Sequence, residues 1–358
     1  MRMSRLATDG RLGSIALIVA FVAIACTNGG SEQEGSNRLP LRSSASPEHE
    51  GTVTHSSAGH HARVVSITQP PGARRVQIVG LDGASLRSVP NLPPDAFDVE
   101  LSPDGRTIAF ASMQSGASQI YSMWIDGSGL RPLTHDRLGA FGPTWSPDGR
   151  SIAYTGSARG TLDIYAVPAT GGSRVRYTND QGIDELQPSW SPDGSRIMFA
   201  APVARGAASW LPGQGIRVLQ IASGRITQVT SGADSMPEWS PRGDRMAFLR
   251  QPDPVMGGYR NKLMVARVDG TGARTLVTMR FMRFASALYW SPDGTTISAT
   301  AAAASGPYGV YLFDVARGSD REVVPKSFGG NWLPTGDALL VRLTGGGEDG
   351  CAWPPSRC

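Results

Sequence analysis

Six times along the chain a short apolar run follows a tight polar turn: Thr107 to Phe110 (TIAF), Ser151 to Tyr154 (SIAY), Arg196 to Phe199 (RIMF), Arg245 to Phe248 (RMAF), Thr296 to Ala299 (TISA) and Ala338 to Val341 (ALLV). Runs this brief, bounded by Gly, Pro and Asp, predict strands. The turn before each run is one motif in six copies. It reads WSPDG from Trp145, Trp190 and Trp290, WSPRG from Trp239, LSPDG from Leu101 and WLPTG from Trp332. Its proline presets φ, its aspartate tolerates the second turn position, and its glycine supplies the positive φ that closes a hairpin. Successive copies lie 42 to 51 residues apart, the period of a four-stranded propeller blade rather than of a helical repeat. A third strand follows in each unit, as in Gln119 to Tyr121 or Asp163 to Tyr165, then a turn such as Asp126-Gly127 or Asp269-Gly270, then a fourth strand such as Leu130 to Thr134 or Arg225 to Thr230.

The two ends of the repeat region are incomplete in complementary ways. Arg74 to Pro90 reads as a third and fourth strand with no first and second before them, and Trp332 to Leu343 as a first and second with none after. Joined, they complete one blade. The expected fold is all-β, a six-bladed β-propeller with 2+2 closure of the last blade by the N-terminal segment, which removes the sheet edges an open array would expose.

The WSPDG, IAF, IY and DG signals resemble the PD40-type (WD40-like) repeats of the TolB propeller over about Ala62 to Leu343. The resemblance implies a periplasmic or envelope propeller that binds other envelope proteins. Two features depart from TolB: Thr27 to His61 is too short and polar for its globular N-terminal domain, and TolB is not lipid-anchored. Propellers of the prolyl-oligopeptidase type are similar too, but carry a hydrolase domain with no counterpart here.

Length and composition refine this. At 358 residues the chain could hold two average domains, but the internal period favours one repeat fold. Gly 44, Pro 26 and only 18% charged residues suit a turn-rich β architecture. Lys262 and Lys326 are the only lysines. Arg2, Arg5, Arg11 and Asp9 account for half of the +4 net charge, leaving about +2 beyond them, too little for a nucleic-acid footprint.

Those arginines open an export signal. The twelve apolar or small residues from Ser14 to Ala25 suit an h-region. The run ends Val22-Ala-Ile-Ala-Cys26, which resembles a bacterial lipobox, with Ala23 where Leu is usual. Lipidation of Cys26 is expected; ordinary cleavage after Ala25 or an uncleaved anchor are the alternatives. Each places the domain outside the cytoplasm. The expected organisation is a signal peptide over 1–25, a flexible Ser/Gly/His linker over 26–61, the propeller over 62–345 and a tail over 346–358. The linker holds His49, His55, His60 and His61 without the spacing of a metal site. In the tail Cys351 and Cys358 form an even pair in an oxidising compartment, and a disulfide is expected.

Blade geometry sends the tight turns to one face and the long loops to the other, where function concentrates. The loops carry Trp210, Met256, Tyr259, Arg260, Phe281 and Arg283, the aromatic, Met and Arg types that anchor interfaces. The same face has acids near the innermost strands: Asp95, Asp98, Glu100, Asp184, Glu185, Asp234 and Glu238. They either ring the channel mouth, where they would attract cations or basic peptides, or satisfy turn amides. Trp145, Trp190, Trp239, Trp290 and Trp332 are read as structural wedges between blades. Asp104, Asp148, Asp193 and Asp293 are read as turn formers. No GxSxG, HExxH or Walker loop occurs, and His135 is the one histidine beyond the linker. The expected function is a lipid-anchored, non-catalytic envelope module. It would be monomeric, would need no cofactor or metal, and would bind a protein, peptide segment or other ligand rather than nucleic acid. The alternative is an extracytoplasmic hydrolase or lyase using acids at the channel mouth.

Overall fold

The computed structural model describes residues 75–158, 161–180, 182–201, 215–250, 260–280, 288–302 and 308–343. These residues form six four-stranded antiparallel sheets arranged as propeller blades. Five blades are consecutive in sequence. Blade 1 runs outward from β3 (Phe97–Leu101) through β4 (Thr107–Ser112) and β5 (Gln119–Trp124) to β6 (Arg131–Pro132). The innermost strands of blades 2 to 5 are β7 (Ala140–Trp145), β11 (Leu186–Trp190), β15 (Asp234–Trp239) and β19 (Leu288–Trp290). Blade 6 is built from both ends of the region. Its inner pair, β23 (Ser327–Trp332) and β24 (Ala338–Leu343), is continued by β1 (Arg75–Gly80) and β2 (Ser85–Ser88), with Arg75 opposite Leu343 and Gly80 opposite Ala338. Among the described residues no helix is long and apolar enough to cross a membrane.

The second strand of each blade is the sequence's apolar run, and it is buried on both faces because neighbouring blades stack on it. Phe110, Tyr154, Phe199 and Phe248 are fully buried at equivalent positions. The fourth strands vary in length, from two residues to the seven of β18 (Arg274–Arg280). They shrink to two residues in β6 and in β10 (Val175–Arg176), where one edge faces solvent and Pro132 has no N–H to donate.

The repeated motif serves each blade in two ways. Its serine, which the sequence reading left without a role, donates to the turn aspartate: Ser102 Oγ to Asp104 Oδ1 at 2.6 Å, and Ser191 Oγ to Asp193 Oδ1 at 2.5 Å. The aspartate also accepts the backbone amide of the residue two positions on. These donors hold the turn carboxylates below the usual range, Asp193 at about 2. In the WSPRG copy, where Arg242 replaces the aspartate, Ser240 donates instead to Asp244 at 3.0 Å. The motif's tryptophans reach the preceding blade. Trp145, Trp290 and Trp332 donate their indole N–H to the carbonyls of Glu100, Glu238 and Tyr289, at 3.3, 3.3 and 3.2 Å. Trp190 meets Tyr177 edge-on, and Arg196 lies over Trp239 at 4.5 Å from the ring centre.

The inner strands carry a second repeated feature. Three residues before the Trp or Leu, a residue at positive φ stands in every blade where that position is among the described residues: Asp98, Gly142, Gln187, Met236 and Gly329. A register shift accompanies each, so one residue is unpaired and the strand twists toward the axis. Four of the bulged amides are satisfied from the preceding blade. Gly142 N donates to Asp98 Oδ2, Gln187 N to Thr155 Oγ1, Met236 N to Gln187 Oε1 and Gly329 N to Thr300 Oγ1, at 2.9 to 3.1 Å. The ring is thus stitched at its centre by hydrogen bonds between blades.

Candidate functional site

The bulge aims the next position inward. The residue immediately before the Trp or Leu of the motif is Glu100, Thr144, Ser189, Glu238, Tyr289 or Asn331, one from each blade. That these side chains meet at the axis follows from their partners. Asn331 Nδ2 of blade 6 donates to Glu100 Oε2 of blade 1 at 2.7 Å. Tyr289, two blades from Glu100, also hydrogen-bonds its carboxylate. Glu238, three blades away and so on the opposite side of the ring, interacts with it electrostatically. Contacts that skip blades can pass only through the central channel.

The two glutamates are half-buried, and none of the six ring residues is a cation. Burial first, and then repulsion from Glu238, pushes the Glu100 carboxyl well above its ordinary range, although Tyr289 and Asn331 donate to it. Burial likewise raises Glu238 to about 8, eased by Ser189. Asp98 lies nearby at a bulge. Burial raises it to about 6, moderated by the Gly142 amide and by Arg342. The Tyr289 hydroxyl is raised far above 10, by burial and then by Glu100. Both glutamates therefore hold their protons to higher pH than they would in water.

The structure separates the seven acids proposed for the channel mouth. Asp98, Glu100 and Glu238 converge on the axis. Asp95 accepts Ser112 Oγ at 2.9 Å and Met113 N at 2.7 Å, capping the end of β4. Asp184 accepts the Leu162 amide at 3.1 Å. Asp234 is fully buried in a bidentate pair with Arg250 of its own blade, at 2.7 and 2.8 Å. Glu185 turns outward into the seam between blades 2 and 3, where it faces Arg217. The reason is position along the inner strand: side chains before the bulge point back between sheets, and those after it point inward. Tyr289 and Asn331 were missed because the sequence reading sought acids. Aligning the six motif copies and reading the preceding column would have found them.

Trp210, Met256, Tyr259, Phe281, Arg283, Cys26, Cys351 and Cys358 lie outside the described residues, as do residues 1–74 and 344–358; Arg260 begins β17 (Arg260–Arg267), but its side chain is not described. Among the described residues no group of three or more His, Cys, Asp or Glu is arranged to hold a metal ion.

A closed ring of six four-stranded blades around a polar, acid-bearing channel defines a six-bladed propeller of the type built on WSPDG-like repeats. The chain belongs to the PD40 family, the TolB beta propeller domain, whose model matches residues 53–256. Among solved structures it is similar to a TolB-type protein of Agrobacterium tumefaciens, with TM-score 0.59 and 20% identity over 77% of this chain and 99% of that one. It is also similar to TolB of Acinetobacter baumannii, with TM-score 0.55 and 18% identity over 77% and 65%. An oligogalacturonate lyase of Vibrio parahaemolyticus shares the architecture at TM-score 0.50 and 14% identity over 75% and 78%. At these identities the likeness is one of fold. No curated protein matches the chain in sequence.

Proposed function

We propose that the protein is a non-catalytic interaction module of the bacterial envelope whose channel receives a basic segment of a partner protein. The observation that carries this reading is the pair Glu100 and Glu238, brought together from opposite blades with Asp98 beside them and no cation in their ring. A cationic side chain entering the channel would favour the ionised carboxylates that burial alone disfavours, displacing the protons they hold. Membership of the TolB propeller family supports a protein partner. The lipobox at Cys26 supports extracytoplasmic placement with a lipid anchor, and the Cys351–Cys358 pair supports a disulfide in that compartment. Trp210, Met256, Tyr259, Arg260, Phe281 and Arg283 would extend the contact beyond the channel. The working unit is a monomer without nucleic-acid, cofactor or metal requirement.

The raised carboxyl of Glu238 also favours a second reading, a hydrolase or lyase, because an acid poised near 8 can donate a proton at neutral pH. One experiment separates the two. The purified full chain and its Glu100→Gln/Glu238→Gln variant are each used to capture proteins from envelope extract and assayed on acidic and neutral oligosaccharides with and without divalent metal. The binding reading predicts a captured protein that the variant loses and no turnover. Turnover abolished by the variant would establish the enzyme reading instead. Capture unaffected by the variant would refute the channel as the binding site.

A further inference from the structure

The seam between blades 2 and 3 holds a cavity of about 710 Å3 that is separate from the channel residues; Tyr177, Thr178, Asp180, Glu185, Arg217 and Gln228 are among its walls. Glu185 is 0% exposed, and neither of its carboxylate oxygens makes a well-formed hydrogen bond. Arg217 offsets its charge only in part. Its Nη1 lies 3.8 Å from Glu185 Oε1 but 3.2 Å from Asp180 Oδ2, and the second distance is the hydrogen bond. The Thr178 hydroxyl, which also accepts the Ile164 amide at 2.9 Å, eases the charge only in part.

The other charges around Glu185 are matched among themselves. Asp163, on β9 (Thr161–Pro168), is held by Arg176 at 2.8 Å and by Thr161 Oγ1 at 2.6 Å. Asp180 is engaged by Arg217. With both pairs balanced, an ionised Glu185 leaves the cavity one negative charge in excess. A buried carboxyl eased only by one hydroxyl and a guanidinium at 3.8 Å destabilises the fold, and an apolar residue would fill the place at lower cost. Burial, followed by the nearby Asp163 and Asp180, accordingly raises it to about 7. Tyr177 supplies an aromatic wall, its orientation fixed edge-on against Trp190 at 6.3 Å and 84°.

We propose that this cavity is a binding site for an organic cation, an alkylammonium or guanidinium whose head group is held by Glu185 and Asp180 while its apolar stem lies along Tyr177. The geometry supports each element of that fit. The head group meets the carboxylate whose donors are incomplete, and Asp180, already bonded to Arg217 and the Gly182 amide, offers a further acceptor. The aromatic face suits a cation and its methylene stem. Such a ligand is either a free small amine or a lysine or arginine side chain of a peptide; the site recognises the shared chemistry.

The test is calorimetric titration of the full chain with agmatine, with L-argininamide and with a Gly-Arg-Gly peptide, using Nα-acetyl-citrulline amide, which carries no charge, as control. The proposal predicts that the cations bind and the control does not. It predicts at least tenfold weaker binding to Glu185→Gln and to Asp180→Asn, and unchanged binding to Glu100→Gln/Glu238→Gln, which keeps this site distinct from the channel. It also predicts tighter binding at pH 8 than at pH 6, because below about 7 the ligand must displace a proton from Glu185. Peptide binding tenfold tighter than agmatine assigns the cation to a partner chain, and the reverse assigns it to a free amine. Absence of cation binding would overturn the proposal, as would equal binding of the control. Should Glu185→Gln fail to fold, Asp180→Asn decides: binding at wild-type strength in that folded variant would overturn the site.

Discussion

Replacing Glu238 by Gln removes one titrating carboxyl from the channel while keeping the side chain's shape. In the folded protein this carboxyl sits at about 8 against an ordinary value of 4.5, chiefly through burial. A carboxyl raised above its unfolded value holds protons that the unfolded chain releases. Its contribution is therefore fully present below about pH 4.5 and is lost as pH rises toward about 8. The gap corresponds to a loss on the order of 5 kcal/mol between acid and alkaline conditions, at 1.36 kcal/mol per pKa unit, of which about 3 kcal/mol falls between pH 5.5 and pH 8.5. A loss of that size is a large share of a domain's net stability. Urea unfolding followed by tryptophan fluorescence at pH 5.5 and pH 8.5 measures it. The wild type should be less stable at pH 8.5, and Glu238→Gln should recover most of that difference, including part of the repulsion that raises Glu100. Equal losses in wild type and variant would refute the assignment of Glu238 to a buried, charge-poor channel.

Two further predictions concern the repeated motif. Trp145→Phe keeps one aromatic ring but removes the indole donor to Glu100 O and part of the side-chain volume; it should cost about 1–3 kcal/mol, whereas Trp145→Ala should cost about 3–5 kcal/mol, both read from urea midpoints. Asp193→Ala removes the acceptor for Ser191 and Ser195 and should cost about 1 kcal/mol at pH 7, discounted for solvent exposure. Because Asp193 sits at about 2 when folded, below its ordinary 3.8, that cost should hold above pH 4 and vanish as pH falls through 2.

Much of the fold is legible in the sequence because each blade repeats the same local instruction. A tight SPDG turn must be followed by a strand, and a 42- to 51-residue period leaves room for four. The two half-blades at Arg74 to Pro90 and Trp332 to Leu343 carry the count to six. The site is legible only in part. Glu100 and Glu238 are visible as acids near the inner strands, but their company is not, because Tyr289 and Asn331 are recruited by position in the blade rather than by chemical type. The positive φ of Asp98, Gln187 and Met236 is equally hidden, since none of these is a glycine. A one-residue bulge decides which side chains face the channel and which return between sheets, and no residue preference announces it. Glu185 illustrates the cost: one residue from Asp184, which accepts the Leu162 amide, it faces Arg217 instead.

The central claim is that the channel acids form a receptor for positive charge. Its most direct measurement is titration of the full chain with a fluorescent arginine-rich peptide at rising salt, beside Glu100→Gln/Glu238→Gln and a scrambled acidic peptide. Saturable binding that weakens with salt, falls at least tenfold in the double variant and is absent for the acidic peptide is the predicted result. Binding of equal strength to wild type and double variant would contradict it.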